Sequence, residues 1–317
     1  MSIIPIVLTF LFLGFSSLLQ AQTVYTCGDD YRPIDLTFDA EGTLYSSSKE
    51  KNPIFNIEEF SLPEEVKVNG SIYRHDATGC KAIAEDWWNP YGLTTTAEGH
   101  ICATHASKEK GRLLPESLLS CWNGKEWSIQ EEDFILLPRG LIASGTGFWI
   151  VGEGASINEN SLGDLAYLPF PSESTSNPLR KPDEFPSLNF ITEFGSERLF
   201  ITAVIIHGVD SVVTSRLHVT TSITIITVED KGLGMTFIAK DTFKYPTGIL
   251  ALENSLLVAD FLNNSVSEIS LEGEVLNTYP GFEGPMGIKQ APNGDICVAE
   301  YVAGHISCYT LEMLRNN

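Results

Sequence analysis

Tyr245–Leu276 reads YPTGILALENSLLVADFLNNSVSEISLEGEVL. Pro246 opens the short apolar run TGILA, and nine residues later Ser255 starts a second run, LLVAD. Two further β-prone runs follow, NSVSEISL and EVLNTY. A proline at the first residue of a strand gives up no ladder hydrogen bond, and a glycine two residues on permits close backbone approach. The same order recurs at Pro33, Pro90, Pro138, Pro186 and Pro285, with Gly42, Gly99, Gly147, Gly195 and Gly294 nine residues further on. Glycine follows two residues after the proline at Gly92, Gly140, Gly248 and Gly287. The turns between the first two runs read DAEG, TAEG, SGTG and APNG, which are hairpin signals. The chain is therefore an internal repeat.

Successive prolines lie 57, 48, 48, 60 and 39 residues apart. That length predicts four-stranded antiparallel blades arranged radially: an all-β, six-bladed β-propeller over residues 22–317. A TIM barrel needs a helix after each strand, and no such helical pattern is present. The last unit has only three evident strands before Leu314, so Thr23–Cys27 (TVYTC) is expected to supply the fourth and close the ring. Two stretches depart from the unit. Residues 153–185 are rich in Ser, Pro and Asn and are expected to include a long exposed loop, whereas VTTSITIITV within Ala203–Asp241 should form the extended middle of the fourth blade.

Residues 1–21 carry no charge, are apolar from Ile3 to Phe15, and end in small or polar residues, the pattern of a secretory signal peptide removed after Ala21. A retained anchor is the alternative. The formal charge is −21, from 20 basic and 41 acidic residues. Such a surface repels phosphate backbones, so neither nucleic acid nor anionic membrane is an expected partner, and the balance suits a soluble secreted protein. Six cysteines follow the leader. Cys102 and Cys297 hold the same place in their units, and Cys121 and Cys308 sit in the strands that follow. Such places on adjacent antiparallel strands are within bridging distance, which predicts Cys102–Cys121 and Cys297–Cys308 and leaves Cys27–Cys80. Free buried thiols are the alternative.

The stretch that begins at Tyr245, with GPMGIKQAPNGDICVAEYVAGHISCYTL (Gly284–Leu311) and NPYGLTTTAEGHICATH (Asn89–His105), resembles the NHL-repeat propellers and their relatives in the senescence-marker/gluconolactonase superfamily. The resemblance implies a six-bladed propeller with a central channel and a ligand-binding upper face. Its relatives include calcium-dependent lactonases and esterases, an amidating lyase and non-enzymatic binding modules, so it implies no single activity.

In the lactonase branch a divalent metal is held by acidic and amide side chains just before the glycine. The matching positions here are Ile34, Tyr91, Arg139, Ser187, Thr247 and Met286, with Asp35 and Asn189 as the nearby substitutes. Calcium takes six or more oxygens, so this set disfavours it and no cofactor is expected. The second strands end at Ser48, His105, Glu153, His207, Asp260 and Glu300. His105 with Glu300 or Asp260 would make an acid–base pair if the three converged. The alternatives are a solvated loop histidine, an exposed charge at Glu300, and an Asp260 that caps its own turn with Asn263 and Asn264. The six histidines show no H-x-x-x-H spacing, although a zinc site assembled from separate blades stays open.

Trp87, Trp88 and Tyr91 precede or begin the second unit's first strand, where exposed aromatics would suit a sugar ring or a peptide; packing between blades is the equal alternative. With Arg139 they form the expected ligand-binding set. Asn69 and Asn263 lie in glycosylation sequons. The sequence thus favours a secreted propeller that binds a small molecule, glycan or protein through its upper face. The alternative is a lactonase/esterase-type hydrolase with an atypical metal site.

Overall fold

The computed structural model describes residues 21–49, 69–77, 79–107, 116–132, 135, 137–145, 147–153, 162–169, 179–195, 198–209, 217–229 and 232–316. The expected leader lies outside these apart from Ala21. The described chain is all-β apart from a short C-terminal helix and one 3-10 turn, with its sheets in a propeller arrangement. Among the described residues no helix is long and apolar enough to cross a membrane.

After β1 (Thr23–Tyr25), the strands β2 (Arg32–Phe38), β3 (Leu44–Lys49), β4 (Asn69–Asp76) and β5 (Gly79–Trp88) form an antiparallel meander. A second meander, β6 (Leu93–Thr95), β7 (Ile101–Ser107), β8 (Glu116–Trp122) and β9 (Trp127–Glu132), joins the first through a Trp88–Ala106 pairing. Next come β10 (Leu137–Ser144), β11 (Gly147–Glu153), β12 (Leu162–Pro169) and β13 (Leu179–Phe194). The 16-residue β13 serves two meanders. Its first half pairs with β12, and from Ser187 it pairs with β14 (Arg198–Val209), followed by β15 (Leu217–Glu229) and β16 (Gly232–Ile238). The stretch from 153 to 185 therefore carries strand β12 and the start of β13, and the rest of its expected loop lies outside the described residues. The strands β17 (Pro246–Ala251), β18 (Ser255–Asp260), β19 (Ser265–Ser270) and β20 (Val275–Pro280) form another meander. The last consists of β21 (Pro285–Gln290), β22 (Ile296–Glu300) and β23 (His305–Tyr309), and β1 pairs antiparallel with β23 as its fourth strand.

The repeated proline marks a register break. Pairing slips immediately after Pro33, Pro138, Pro246 and Pro285. A bulge there twists the strand start and turns the next backbone groups toward the neighbouring meander. Gly248 faces the Met286 carbonyl so closely that any Cβ would overlap it, and a Cβ on Gly287 would lie 2.9 Å from the Ile34 carbonyl. Each glycine thus abuts the matching position of the next unit. The fourth unit departs from this frame. Its slip falls between Leu188 and Ile191, so Leu188 occupies the proline's place and Asn189 the place that the sequence spacing assigned to Ser187. The bonding agrees: Phe190 N donates to Thr202 Oγ1, twelve residues on, as Gly92 N does to Thr104 Oγ1 and Asp35 N to Ser47 Oγ.

Hydrogen bonds between innermost strands bind one unit to the next. Leu93 N donates to Asp35 Oδ2 at 2.9 Å, Ala143 N to Thr94 Oγ1 at 3.0 Å, and Thr247 Oγ1 to the Pro285 carbonyl at 2.8 Å. The cores lie between the meanders: Leu36, Ile249, Leu256, Val258 and Ile306 belong to one cluster of buried side chains. Each such aliphatic side chain contributes about 1.5–3 kcal/mol by leaving water.

The disulfides are Cys27–Cys80, Cys102–Cys121 and Cys297–Cys308, as the repeat frame predicts. Two of them cross paired strands, where Cys102 faces Cys121 and Cys297 faces Cys308 in the ladder. Cys27–Cys80 differs: it ties the segment between β1 and β2 to β5, and so anchors the strand that pairs with β23 to the first meander. After β23, Thr310 caps α1 (Leu311–Arg315) by accepting from Met313 N. Arg315 donates to both oxygens of Glu268, whose carboxyl this guanidinium holds down to about 2.

Candidate functional site

The innermost strands begin, and the second strands end, at one face of the propeller, here the upper face. The first side chain after each proline position points toward the axis: Ile34, Tyr91, Arg139, Asn189, Thr247 and Met286. All but Arg139 are buried. Tyr91, from the second unit, lies 5.6 Å from the ring of Phe190 in the fourth, a contact across the axis. Lys49, at the end of β3, places Nζ 4.9 Å from the Tyr91 ring centre, and Arg139, on β10, places Cζ 5.6 Å from it. Arg139 Nη1 donates to Asn189 Oδ1 at 2.8 Å, and Asn189 Nδ2 in turn donates to the Pro246 carbonyl at 3.3 Å. Two cations from different units therefore lie against one aromatic ring, and one is aimed by a buried amide. A cation over a tyrosine ring gains about 0.5–2 kcal/mol, more as water is excluded.

Calcium does not fit this set. Asp35 is buried, and its two oxygens accept from Leu36 N and Leu93 N, both at 2.9 Å. Burial raises its pKa, with Lys289 and those N–H groups pulling the other way. The Asn189 oxygen is on a guanidinium, which would repel a divalent ion, and Thr247 donates its proton to Pro285. A hard cation needs six to eight oxygens, which Ile34, Met286 and Tyr91 do not supply.

The other expected site residues serve their own units. His105 is buried inside β7 rather than solvated on a loop. Its Nε2 lies 2.8 Å from Ser120 Oγ, and its ring stacks on Trp87 at 3.9 Å. Trp87 also packs edge-on against Trp127 at 4.6 Å, so this indole is committed to packing; Trp88 is half-buried in β5. Glu300 is 3 % exposed, not a surface charge. It accepts from Glu283 N at 2.8 Å and from Ser307 Oγ at 2.5 Å, and it holds the His305 imidazole above its ordinary range. Asp260 accepts from Lys244 N and Tyr245 N, both at 2.9 Å, and from Asn263 Nδ2. Ser48 Oγ likewise accepts from Arg32 N. In three units the acceptor opposite the proline, Ser48, Asp260 or Glu300, thus caps the chain entering that unit. Among the described residues, the hydrogen bonds of His105, Asp260 and Glu300 run to other residues and not to one another. The side chains of Glu153, Ser187 and His207 lie outside the described residues. Of the sequons, Asn69 begins β4 half-buried, and Asn263 is exposed with its amide nitrogen on Asp260.

Burial pushes both His105 and His75 down to about 4 from an ordinary 6.5. The unfolded chain therefore binds more protons than the folded one between those values. Their contribution is complete above pH 6.5 and is lost as the pH falls toward 4. The urea midpoint should fall across that window, and His105→Gln should flatten the fall. A His105 ring proton titrating at 6.5 by NMR would show that water reaches the ring instead.

Around the mouth, Leu262 and Val302 are exposed on the loops after β18 and β22, and the neighbouring rings of Phe261 and Tyr301 lie 6.2 Å from each other. A separate groove of about 300 Å³ lies at the opposite ends of the strands, between Tyr25, Phe38, Glu41 and Asp295. Lys49 and Phe190 are parts of the mouth that no sequence motif indicated. Lys49 directly follows Ser48, but nothing in that stretch points it at Tyr91.

No protein-family model and no curated protein matches the sequence. Solved structures match at the level of fold. A chain of a nidogen/laminin complex is 15 % identical, with 79 % of this chain and 81 % of that one covered and a TM-score of 0.54. An auxiliary nutrient binding protein from Bacteroides ovatus is 8 % identical over 90 % and 71 %, with a TM-score of 0.60. Virginiamycin B lyase from Staphylococcus aureus is 13 % identical over 92 % and 88 %, with a TM-score of 0.53. These likenesses support a β-propeller and, at such identity, nothing finer.

Proposed function

We propose that this chain is an exported binding propeller of six four-stranded blades, related to the NHL-repeat and gluconolactonase-like group. Its axial mouth takes a small ligand that carries a carboxylate. The observation that carries this reading is the convergence of Lys49 and Arg139 on the Tyr91 ring, with Arg139 oriented by Asn189. On a chain of formal charge −21, two cations gathered at one aromatic ring favour an anionic ligand. A guanidinium presents a planar fork to a carboxylate, and the aromatic ring adds a flat apolar surface for the rest of the ligand. The exposed Leu262 and Val302 suit a partly apolar ligand or partner.

The apolar first 21 residues support export, and the three disulfides suit an oxidising compartment. Sugar attachment at Asn69 and Asn263 belongs to the same proposal. Nidogen/laminin and nutrient-binding propellers among the structural neighbours are consistent with a binding role. The lactonase-type reading is the weaker one. Its metal positions hold Ile34, Tyr91, Arg139, Thr247 and Met286, and its acid–base candidates are engaged elsewhere.

A calorimetric panel of sugar acids, dicarboxylates and their neutral amides tests the proposal. Acidic members should bind and the amides should not. Arg139→Ala and Lys49→Ala should each weaken binding about tenfold or more, the loss expected when a partly desolvated charge pair is broken. Equal affinity for acids and amides, unchanged binding by both variants, or calcium-dependent lactone hydrolysis would each refute it.

A further inference from the structure

The Cys27–Cys80 bridge lies against a buried histidine. His75 is 3 % exposed, and its Nδ1 is 3.8 Å from Cys27 Sγ. Its Nε2 lies 2.8 Å from Ser46 Oγ, which also accepts from the Tyr31 hydroxyl at 2.6 Å. Nε2 is also 3.9 Å from Cys27 Sγ and 3.3 Å from the Tyr31 hydroxyl, so the sulfur lies beside both ring nitrogens; it is Nε2 that the two hydroxyls engage, which leaves Nδ1 as the nitrogen to serve a metal. The ligand atoms of Cys27, His75 and Cys80 all lie within 4.8 Å of one another. Tetrahedral zinc with two thiolates and an imidazole needs separations of about 3.5–3.8 Å between those atoms.

We propose that reduction of this bridge creates a binding site for a thiophilic divalent cation, zinc above all, with Cys27 Sγ, Cys80 Sγ and His75 Nδ1 as its protein ligands. A dithiol supplies the two electrons and two protons. The S–S bond breaks, two cysteine thiols form, and the reductant leaves as its own cyclic disulfide. Zinc then displaces both thiol protons and is bound by the two thiolates and the neutral imidazole, with a water in the fourth position.

Exposure makes this bridge the one to open first. Cys27 and Cys80 are half-buried, whereas Cys102, Cys121, Cys297 and Cys308 are at most 3 % exposed. Thiol–disulfide exchange requires access to a sulfur, so a limiting dithiol reaches Cys27–Cys80 ahead of the others. Because Cys27 follows β1 and Cys80 lies in β5, the metal would tie the segment after β1 to the first meander, as the disulfide does.

The test is cobalt titration of the whole chain after brief treatment with dithiothreitol and its removal by gel filtration. We expect one cobalt per chain with a thiolate-to-cobalt charge-transfer band in the reduced protein and none in the oxidised protein. His75→Gln, folded in the oxidised state and then reduced, retains a hydrogen-bonding side chain and should bind cobalt at least about tenfold more weakly. Circular dichroism before reduction establishes that the variant is folded. If His75→Gln does not fold, Cys80→Ser replaces it and should lose the band. Absence of the band in the reduced wild type, or equal cobalt affinity in the folded variant, overturns the proposal.

Discussion

Gly248→Val should leave the chain largely unfolded, because no side chain can be placed at that position while the next unit stays where it is. The Cβ would overlap the carbonyl oxygen of Met286, a backbone atom that belongs to the neighbouring innermost strand. Relief requires moving one strand start away from the axis, which also breaks the bond from Thr247 Oγ1 to the Pro285 carbonyl. The two losses together are expected to cost more than about 4 kcal/mol, a large share of a typical domain's stability of about 5–15 kcal/mol. Gly42→Ala is the contrast. Gly42 has φ +84° but open space around it, so alanine there costs only the left-handed strain of about 1–2 kcal/mol. Urea unfolding followed by tryptophan fluorescence measures both. A Gly248→Ala variant as stable as Gly42→Ala would mean that the units do not approach as closely as described.

Removing the Cys27–Cys80 bridge through Cys27→Ala and Cys80→Ala should produce the second large effect. The bridge closes a loop of 53 residues, for which the loss of chain entropy in the unfolded state gives about 4 kcal/mol. Loops of 19 and 11 residues are closed by Cys102–Cys121 and Cys297–Cys308, so their entropic contributions are smaller, about 3 kcal/mol each. Position adds to the difference. β1 is a three-residue strand with Thr23 and Val24 exposed, and it is held to β23 by backbone pairing. Without the bridge, amide exchange at Thr23–Tyr25 should accelerate well before global unfolding. A variant that loses less than about 1 kcal/mol and keeps those amides protected would show that β1–β23 pairing alone closes the circuit.

Much of the frame was legible because its determinants are local. Proline at a strand start, glycine two residues on and a turn nine residues on act within a few residues of one another. The cysteine pairings were legible for the same reason, since matching places in neighbouring strands face each other whenever the ladder forms. The fourth unit shows where this runs out. Pro186 stands at the expected spacing, yet β13 runs through it without a break, and the register slip falls at Asn189 and Phe190 instead. Spacing cannot reveal that, because a bulge is placed by pairing with β14 and by fit to the axis. Glu300 misled for a related reason. A glutamate before a loop reads as solvated, and only the folded loop brings Glu283 N, Ser307 and His305 around it.

Taken alone, the sequence determined a repeating β-meander, the strand starts of every unit but the fourth, its three cystine pairs and the strand that closes the circuit, since each follows from period, turn chemistry and adjacency. It also identified Tyr91 and Arg139 as residues of interest, but not what they do together. Their meeting with Lys49, Phe190 and Asn189 was decided by tertiary structure. These five residues come from four different units, and their distances depend on how the innermost strands converge, a geometry that no window of sequence contains.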